Sequence, residues 1–136
     1  MSTEYAATDL VQRISADQPP AGSIALWWLG QASFALTGAG TVLYIDPYLA
    51  VSSNRLSPPP FAPDEATNAD LVLLTHDHGD HVDPRSLPGI AAASPRARFV
   101  APRPILDRVA ELVGGLDRVI PADAARLSAW DRRRLW

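Results

Sequence analysis

The chain has 136 residues, 47% of them hydrophobic, which is enough for one modest buried core and too apolar for wholesale disorder. Its formal net charge of −3 argues against a nucleic-acid surface, which usually presents a basic stripe. The absence of cysteine excludes disulfides and thiolate metal sites. All twelve basic side chains are arginine, a usage expected of a GC-rich bacterial genome. The start, Met1-Ser2-Thr3-Glu4-Tyr5, lacks the basic and apolar regions of a signal peptide. The apolar stretch from Ile24 to Leu36 is too short, and too interrupted by Gly30, Gln31 and Ser33, to cross a bilayer. The expectation is a soluble cytoplasmic protein that acts on a small molecule, with neither nucleic acid nor membrane as partner.

Leu10, Val11 and Ile14 fall at helical spacing, which predicts a helix over Thr8–Ala16 that Pro19-Pro20 terminates. Strands are expected over Ser23–Trp28, Ala32–Leu36 and Thr41–Ile45. Thr37-Gly38-Ala39-Gly40 is the hairpin turn between the last two rather than a phosphate loop. Trp27 and Trp28 lie on opposite strand faces, one expected in the core and the other against the first helix. Val51–Asn68 reads as a long loop whose Pro58-Pro59-Pro60 run favours extended backbone, either a plain connector or a lid. A fourth strand is expected over Asp70–Leu74. Asp83-Pro84 has the form of a helix start, an aspartate cap followed by proline, for a helix to about Ala93. A strand over Arg98–Ala101, a helix over Pro104–Val113 ended by Gly114-Gly115, and a strand over Arg118–Ile120 follow. The fold class is α/β (α+β): an antiparallel hairpin first, then strand, helix, strand, helix, strand. Residues 1–20 read as a helical extension, 21–121 as the main domain, and 122–136 as an atypical tail of the kind a truncation or frameshift leaves.

All three histidines fall in one window, Thr75-His76-Asp77-His78-Gly79-Asp80-His81, directly after the apolar run Leu71–Leu74. Imidazole nitrogens and carboxylate oxygens are ligands for zinc and other divalent metals. His76 and His78, two apart, share a face in extended backbone and can reach one ion. Gly79 is expected to take positive φ and swing Asp80 and His81 back to hold a second ion. Two ions roughly 3.5–4 Å apart can share a hydroxide and clamp a developing oxyanion. Asp77 is expected on the opposite face, orienting the loop, and Asp83 as the helix cap. A solvated cluster and a structural zinc site are the alternatives to a catalytic centre, although structural zinc sites usually carry cysteine. With every histidine in one loop, no Ser-His-Asp triad is expected.

The run His76-Asp77-His78-Gly79-Asp80-His81 matches the His-x-His-x-Asp-His motif of the metallo-β-lactamase superfamily, which this chain resembles over about Ala21 to Pro121. Tyr44-Ile45-Asp46-Pro47 is similar to that family's strand-end aspartate, and Trp27-Trp28-Leu29-Gly30-Gln31-Ala32-Ser33-Phe34 to the opening strand of its L-ascorbate-6-phosphate lactonase-like branch. The resemblance implies an αββα sandwich with two divalent metal ions, zinc or manganese, at one edge. It implies His76 and His78 on the first ion and Asp80 and His81 on the second. It also implies Asp80 as the catalytic proton shuttle and Asp46 as a supporting hydrogen-bonding residue. The implied activity is hydrolysis of a lactone or ester-type bond by metal-activated hydroxide. The family's remaining ligands, a third and a last histidine with a bridging aspartate between them, have no counterpart here, and Asp117, Asp123 and Asp131 come too early for the bridging role. The expectation is therefore the N-terminal half of such a sandwich, with exposed apolar surface and a tendency to self-associate. The alternative function is a catalytically incomplete fragment that binds metal weakly or only associates with partners.

Overall fold

The computed structural model describes residues 7–123. They form α1 (Ala7–Ala16), β1 (Ala25–Trp28), β2 (Phe34–Gly38), β3 (Thr41–Ile45), β4 (Leu71–Leu73), α2 (Leu87–Ala93), β5 (Arg98–Pro102), α3 (Leu106–Val113) and β6 (Val119–Ala122). Single turns of 3-10 helix lie at Pro63–Glu65, Arg103–Ile105 and Leu116–Arg118. Of the expected tail over 122–136, Ala122 closes β6 and residues 124–136 lie outside the described residues.

The six strands form one sheet in sequence order. β1, β2 and β3 pair antiparallel; β3 to β6 run parallel. The β2–β3 hairpin turns on Ala39 (φ +50) and Gly40 (φ +73), a primed two-residue turn whose twist suits the flanking strands. β2 begins at Phe34, two residues later than expected. Gly30 (φ +97) and Gln31 (φ +49) make a tight turn, closed by Ser33 N donating to Gly30 O at 3.0 Å, which consumes the start of the expected strand.

Alternation along the strands separates two faces. Ala35, Thr37, Val42, Tyr44, Val72, Phe99 and Ala101 point to the helices and are buried. Val11 and Ile14 of α1, Leu87 and Ile90 of α2, and Val109 and Val113 of α3 complete that core. Each such side chain, taken from water, stabilises the fold by about 1.5–3 kcal/mol. The other face carries Leu26, Trp28, Phe34, Leu36, Leu43, Ile45, Leu71 and Leu73 in register, and none of them belongs to the core cluster. Leu26 is 62% and Trp28 69% exposed, so this apolar face is uncovered among the described residues. The tryptophans thus depart from expectation. Trp27 packs against the core with Arg13 of α1 over its ring at 5.8 Å, whereas Trp28 stands on the open face.

The long loop is not a plain extended connector. Phe61, Ala66 and Ala69 are buried, and Pro63 opens a 3-10 turn in which Glu65 accepts from Ala62 N at 2.7 Å. A proline at the first position of a helical turn loses no hydrogen bond. The loop also ties α1 down. Asn68 Nδ2 donates to Val11 O and Ser15 Oγ, while Tyr44 Oη donates to Asn68 Oδ1 at 2.6 Å. α2 starts at Leu87, not at Pro84: Asp83 O accepts from both Ser86 N and Leu87 N, so Asp83 caps a separate turn ahead of the helix. α3 similarly starts at Leu106, after a 3-10 turn, and ends at Gly114 (φ +95), a left-handed cap. No described helix is long and apolar enough to cross a membrane.

Candidate metal centre

The site grows from the parallel pairing of β3 with β4. Asp46 directly follows β3, and its N–H donates to Leu73 O at 2.9 Å, which places it beside the end of β4. Its φ of +43 is unusual for a residue other than glycine and turns the chain out of the strand. Ser33, fully buried, holds that turn: its hydroxyl donates to Asp46 O at 2.8 Å and accepts from Tyr48 N at 2.9 Å. The Asp46 carboxylate is 3% exposed. Oδ1 accepts from Thr75 N at 2.8 Å, and Oδ2 accepts from Thr75 Oγ1 at 2.5 Å. Oδ2 also lies 2.7 Å from His81 Nδ1.

These contacts assign the tautomers. An ionised carboxylate only accepts, so His81 Nδ1 carries the hydrogen and Nε2 presents its lone pair. Thr75 has one hydroxyl hydrogen, which goes to Asp46. Its oxygen therefore accepts from His76 Nδ1 at 2.8 Å, which leaves His76 Nε2 as the free ligand atom. One buried carboxylate thus orients two imidazoles, directly and through Thr75, the arrangement that outer-shell partners give metal-ligating histidines.

The loop then folds back. His81 N and Val82 N both donate to His78 O, at 2.9 and 2.8 Å. The His76 ring centroid lies 3.9 Å from that of His81 and 4.5 Å from that of His78. Gly79 does not take the positive φ expected of it, since it is absent from the left-handed glycines. The paired bonds to His78 O make a turn of ordinary helical sense, which any residue can adopt. Asp80 is half exposed, and its Oδ1 lies 3.7 Å from His81 Nε2. Two ligands each about 2.1 Å from a tetrahedral ion stand about 3.4 Å apart, so this pair is near the spacing that one ion demands. Ligand-capable atoms of Asp46, His76 and His81 all lie within 4.8 Å of one another. Asp46 has both oxygens engaged, and its place in that group is as the support of the histidines. The nitrogen and oxygen donors, their spacing and the set tautomers fit a divalent ion.

Among the expected residues, Asp46, His76, His78, Asp80 and His81 are gathered beyond the carboxyl ends of the central strands β3 and β4. Asp77 is exposed, and its backbone carbonyl accepts from Arg108 Nη1 of α3 at 2.9 Å. Asp83 is 1% exposed, with Oδ1 accepting from Arg85 N and Oδ2 from Ser86 Oγ. Sequence reasoning missed Thr75 and Ser33. Thr75 adjoins the motif and was the readable signal; Ser33 is thirteen residues from Asp46 and carried none.

Comparisons with known proteins bear on the family and the fold. A model of the beta-lactamase superfamily domain matches residues 25–126. A UPF0173 metal-dependent hydrolase of Hyperthermus butylicus is 41% identical over 97 residues, which cover 71% of this chain and 40% of that protein. The chain therefore spans well under half the length of that relative. Igni18, a metallo hydrolase from Ignicoccus hospitalis, superposes with a TM-score of 0.59 at 22% identity, over 83% of this chain and 45% of that one. An isothiocyanate hydrolase from Delia radicum gut bacteria superposes with a TM-score of 0.56 at 20% identity, over 79% and 44%. At those identities the two structures show a shared metallo-β-lactamase-like fold, of which this chain covers part. The sheet from β1 to β6, the histidine loop and its Asp46 support all fall inside the matched span, and the chain belongs to the beta-lactamase superfamily.

Proposed function

We propose that this chain carries the metal-binding half of a metal-dependent hydrolase that cleaves a lactone or ester-type bond in a small molecule. The observation that carries the reading is the pair of relays Asp46–His81 and Asp46–Thr75–His76, which leave both Nε2 atoms free to ligate, that of His81 3.7 Å from Asp80 Oδ1. His76 and His78 would hold one ion, and Asp80 and His81 a second. Zinc and manganese both suit nitrogen and oxygen donors. When bound, the ion supplies Lewis acidity, which acidifies water and polarises a carbonyl. Asp80, half exposed beside His81, would take the proton from water and pass it to the leaving group.

A second reading has one specific support: the chain's three histidines are all in this loop. A single loop supplies few donors for two ions, so metal binding without turnover is the alternative. The test is elemental analysis of the purified chain beside a His76→Ala/His78→Ala double variant, followed by assay against simple lactones and esters. About two ions per chain, lost in the variant, with metal-dependent turnover, is the expected result. Bound metal without turnover selects the second reading. No metal in either protein overturns both.

A further inference from the structure

A cavity of about 580 Å3 adjoins the histidine loop, with Gly79 and Asp80 on its wall. Its size suits a small metabolite. Gln31, Tyr48, Ser52, Asn54 and Arg85 form much of the remaining wall, so the lining mixes polar groups with apolar surface. Three separate segments contribute: the β1–β2 turn, the loop after Asp46, and the turn before α2. Gln31 is fixed there by its positive φ and by Trp28 Nε1 donating to its carbonyl at 2.8 Å. A left-handed residue other than glycine costs energy, and such positions cluster at functional sites.

Among the described residues, Arg85 is the one cation on this wall. Its guanidinium is held in place: Nη1 donates to Val51 O at 3.2 Å, Nη2 donates to Tyr48 Oη at 3.3 Å, and Nε lies 3.5 Å from Asp83 Oδ1. Guanidinium has five N–H groups, and these contacts leave one on each terminal nitrogen. The side chain is 55% exposed and lines the cavity. Of the two acids on the wall, Asp83 is buried, with its oxygens taken by Arg85 N and Ser86 Oγ. Asp80 belongs to the ligand group. A guanidinium held in this way, with N–H groups to spare, can bind an oxyanion by geometry as well as charge.

We infer that this cavity is the substrate pocket and that Arg85 is its specificity residue, binding a carboxylate or phosphate on the substrate away from the scissile bond. Gln31 and Asn54 line the same cavity and offer amide donors to the bound group. This inference rests on the hydrolase reading, but its test needs neither metal nor turnover. The metal-free 136-residue chain is titrated with acetate and, separately, with inorganic phosphate, and followed by amide and arginine side-chain NMR. Saturable shifts at Arg85 Nε and the Gln31 and Asn54 side-chain amides are expected. The tighter of the two anions identifies the substrate group. Arg85→Gln should weaken binding at least tenfold, Arg85→Lys should fall between, and Arg96→Gln, an exposed site elsewhere, should change nothing. A dispersed spectrum for each variant shows that it folds. Where Arg85→Gln unfolds the chain, Asn54→Ala is the substitute and should weaken binding severalfold. Shifts that do not saturate, or that persist unchanged in a folded variant, overturn the inference. Metal content is measured in parallel, so loss of the hydrolase reading and loss of this one are told apart.

Discussion

Replacing Asp46 by Asn tests whether the buried carboxylate sets the metal centre. Asn matches Asp in size and tolerates the φ of +43, so the turn after β3 is preserved. What changes is the acceptor count. Asp46 meets three donors: Thr75 N, Thr75 Oγ1 and His81 Nδ1. An amide offers one accepting oxygen, so its NH2 group must face at least one of those donors. If it faces His81, the imidazole changes tautomer, and Nε2 takes the hydrogen and can no longer ligate. Loss of such outer-shell support typically lowers metal affinity 10–100-fold, about 1.4–2.7 kcal/mol. The same change should cost the metal-free fold about 2 kcal/mol, from one or two charge-assisted hydrogen bonds. Asp46→Ala should cost about 1 kcal/mol more, because alanine resists left-handed backbone. Zinc affinity is read by competition with a chromophoric chelator, and stability by urea unfolding of the metal-free protein. Unchanged zinc affinity in Asp46→Asn, with affinity lost in His81→Ala, would refute the relay.

Two further outcomes follow from the packing. Arg118 makes five hydrogen bonds to the carbonyls of Ala91, Ser94, Ala97 and Val113 and lies over the Phe99 ring, so it clips the ends of α2 and α3 to β5. At about 1 kcal/mol per bond, discounted because water reaches the site, Arg118→Met should destabilise by about 2–4 kcal/mol in urea unfolding; a loss under about 0.5 kcal/mol would show that the clip is idle. Burial raises the Tyr44 hydroxyl well above its ordinary range. The folded state therefore keeps this proton longer than the unfolded state does. Its contribution is complete below about pH 10, the ordinary tyrosine value, and is lost as pH rises beyond it. The chain has no lysine to titrate in that window. The urea midpoint should fall from pH 9 to 11 in the parent and much less in Tyr44→Phe, and equal slopes would remove Tyr44 as the cause.

Local chemistry made much of this protein legible in one dimension. The six-residue His-Asp window after an apolar run marks a ligand loop without reference to any fold, because metal donors are few in kind and these stand adjacent. Alternation in β2 and β3, the turn residues Ala39-Gly40 and the glycine ending α3 are likewise short-range signals, and the strands and helices form close to where they point. Boundaries were less legible where backbone bonds compete. Gly30-Gln31 took the start of β2, and Asp83 took a turn of its own ahead of α2.

Only the tertiary structure decided which distant groups serve the loop. Asp46 reaches Thr75 and His81 because β3 and β4 pair in parallel, and Ser33 reaches Asp46 because β2 lies beside β3. Arg85 meets Tyr48 across 37 residues of sequence. The bare sheet face was also settled there, since the same alternation is compatible with a covered or an uncovered second side. A sequence states which groups a chain owns and their local geometry. Hydrogen bonds, which act within about 3 Å and depend on angle, join groups whose spacing only strand register and packing can set.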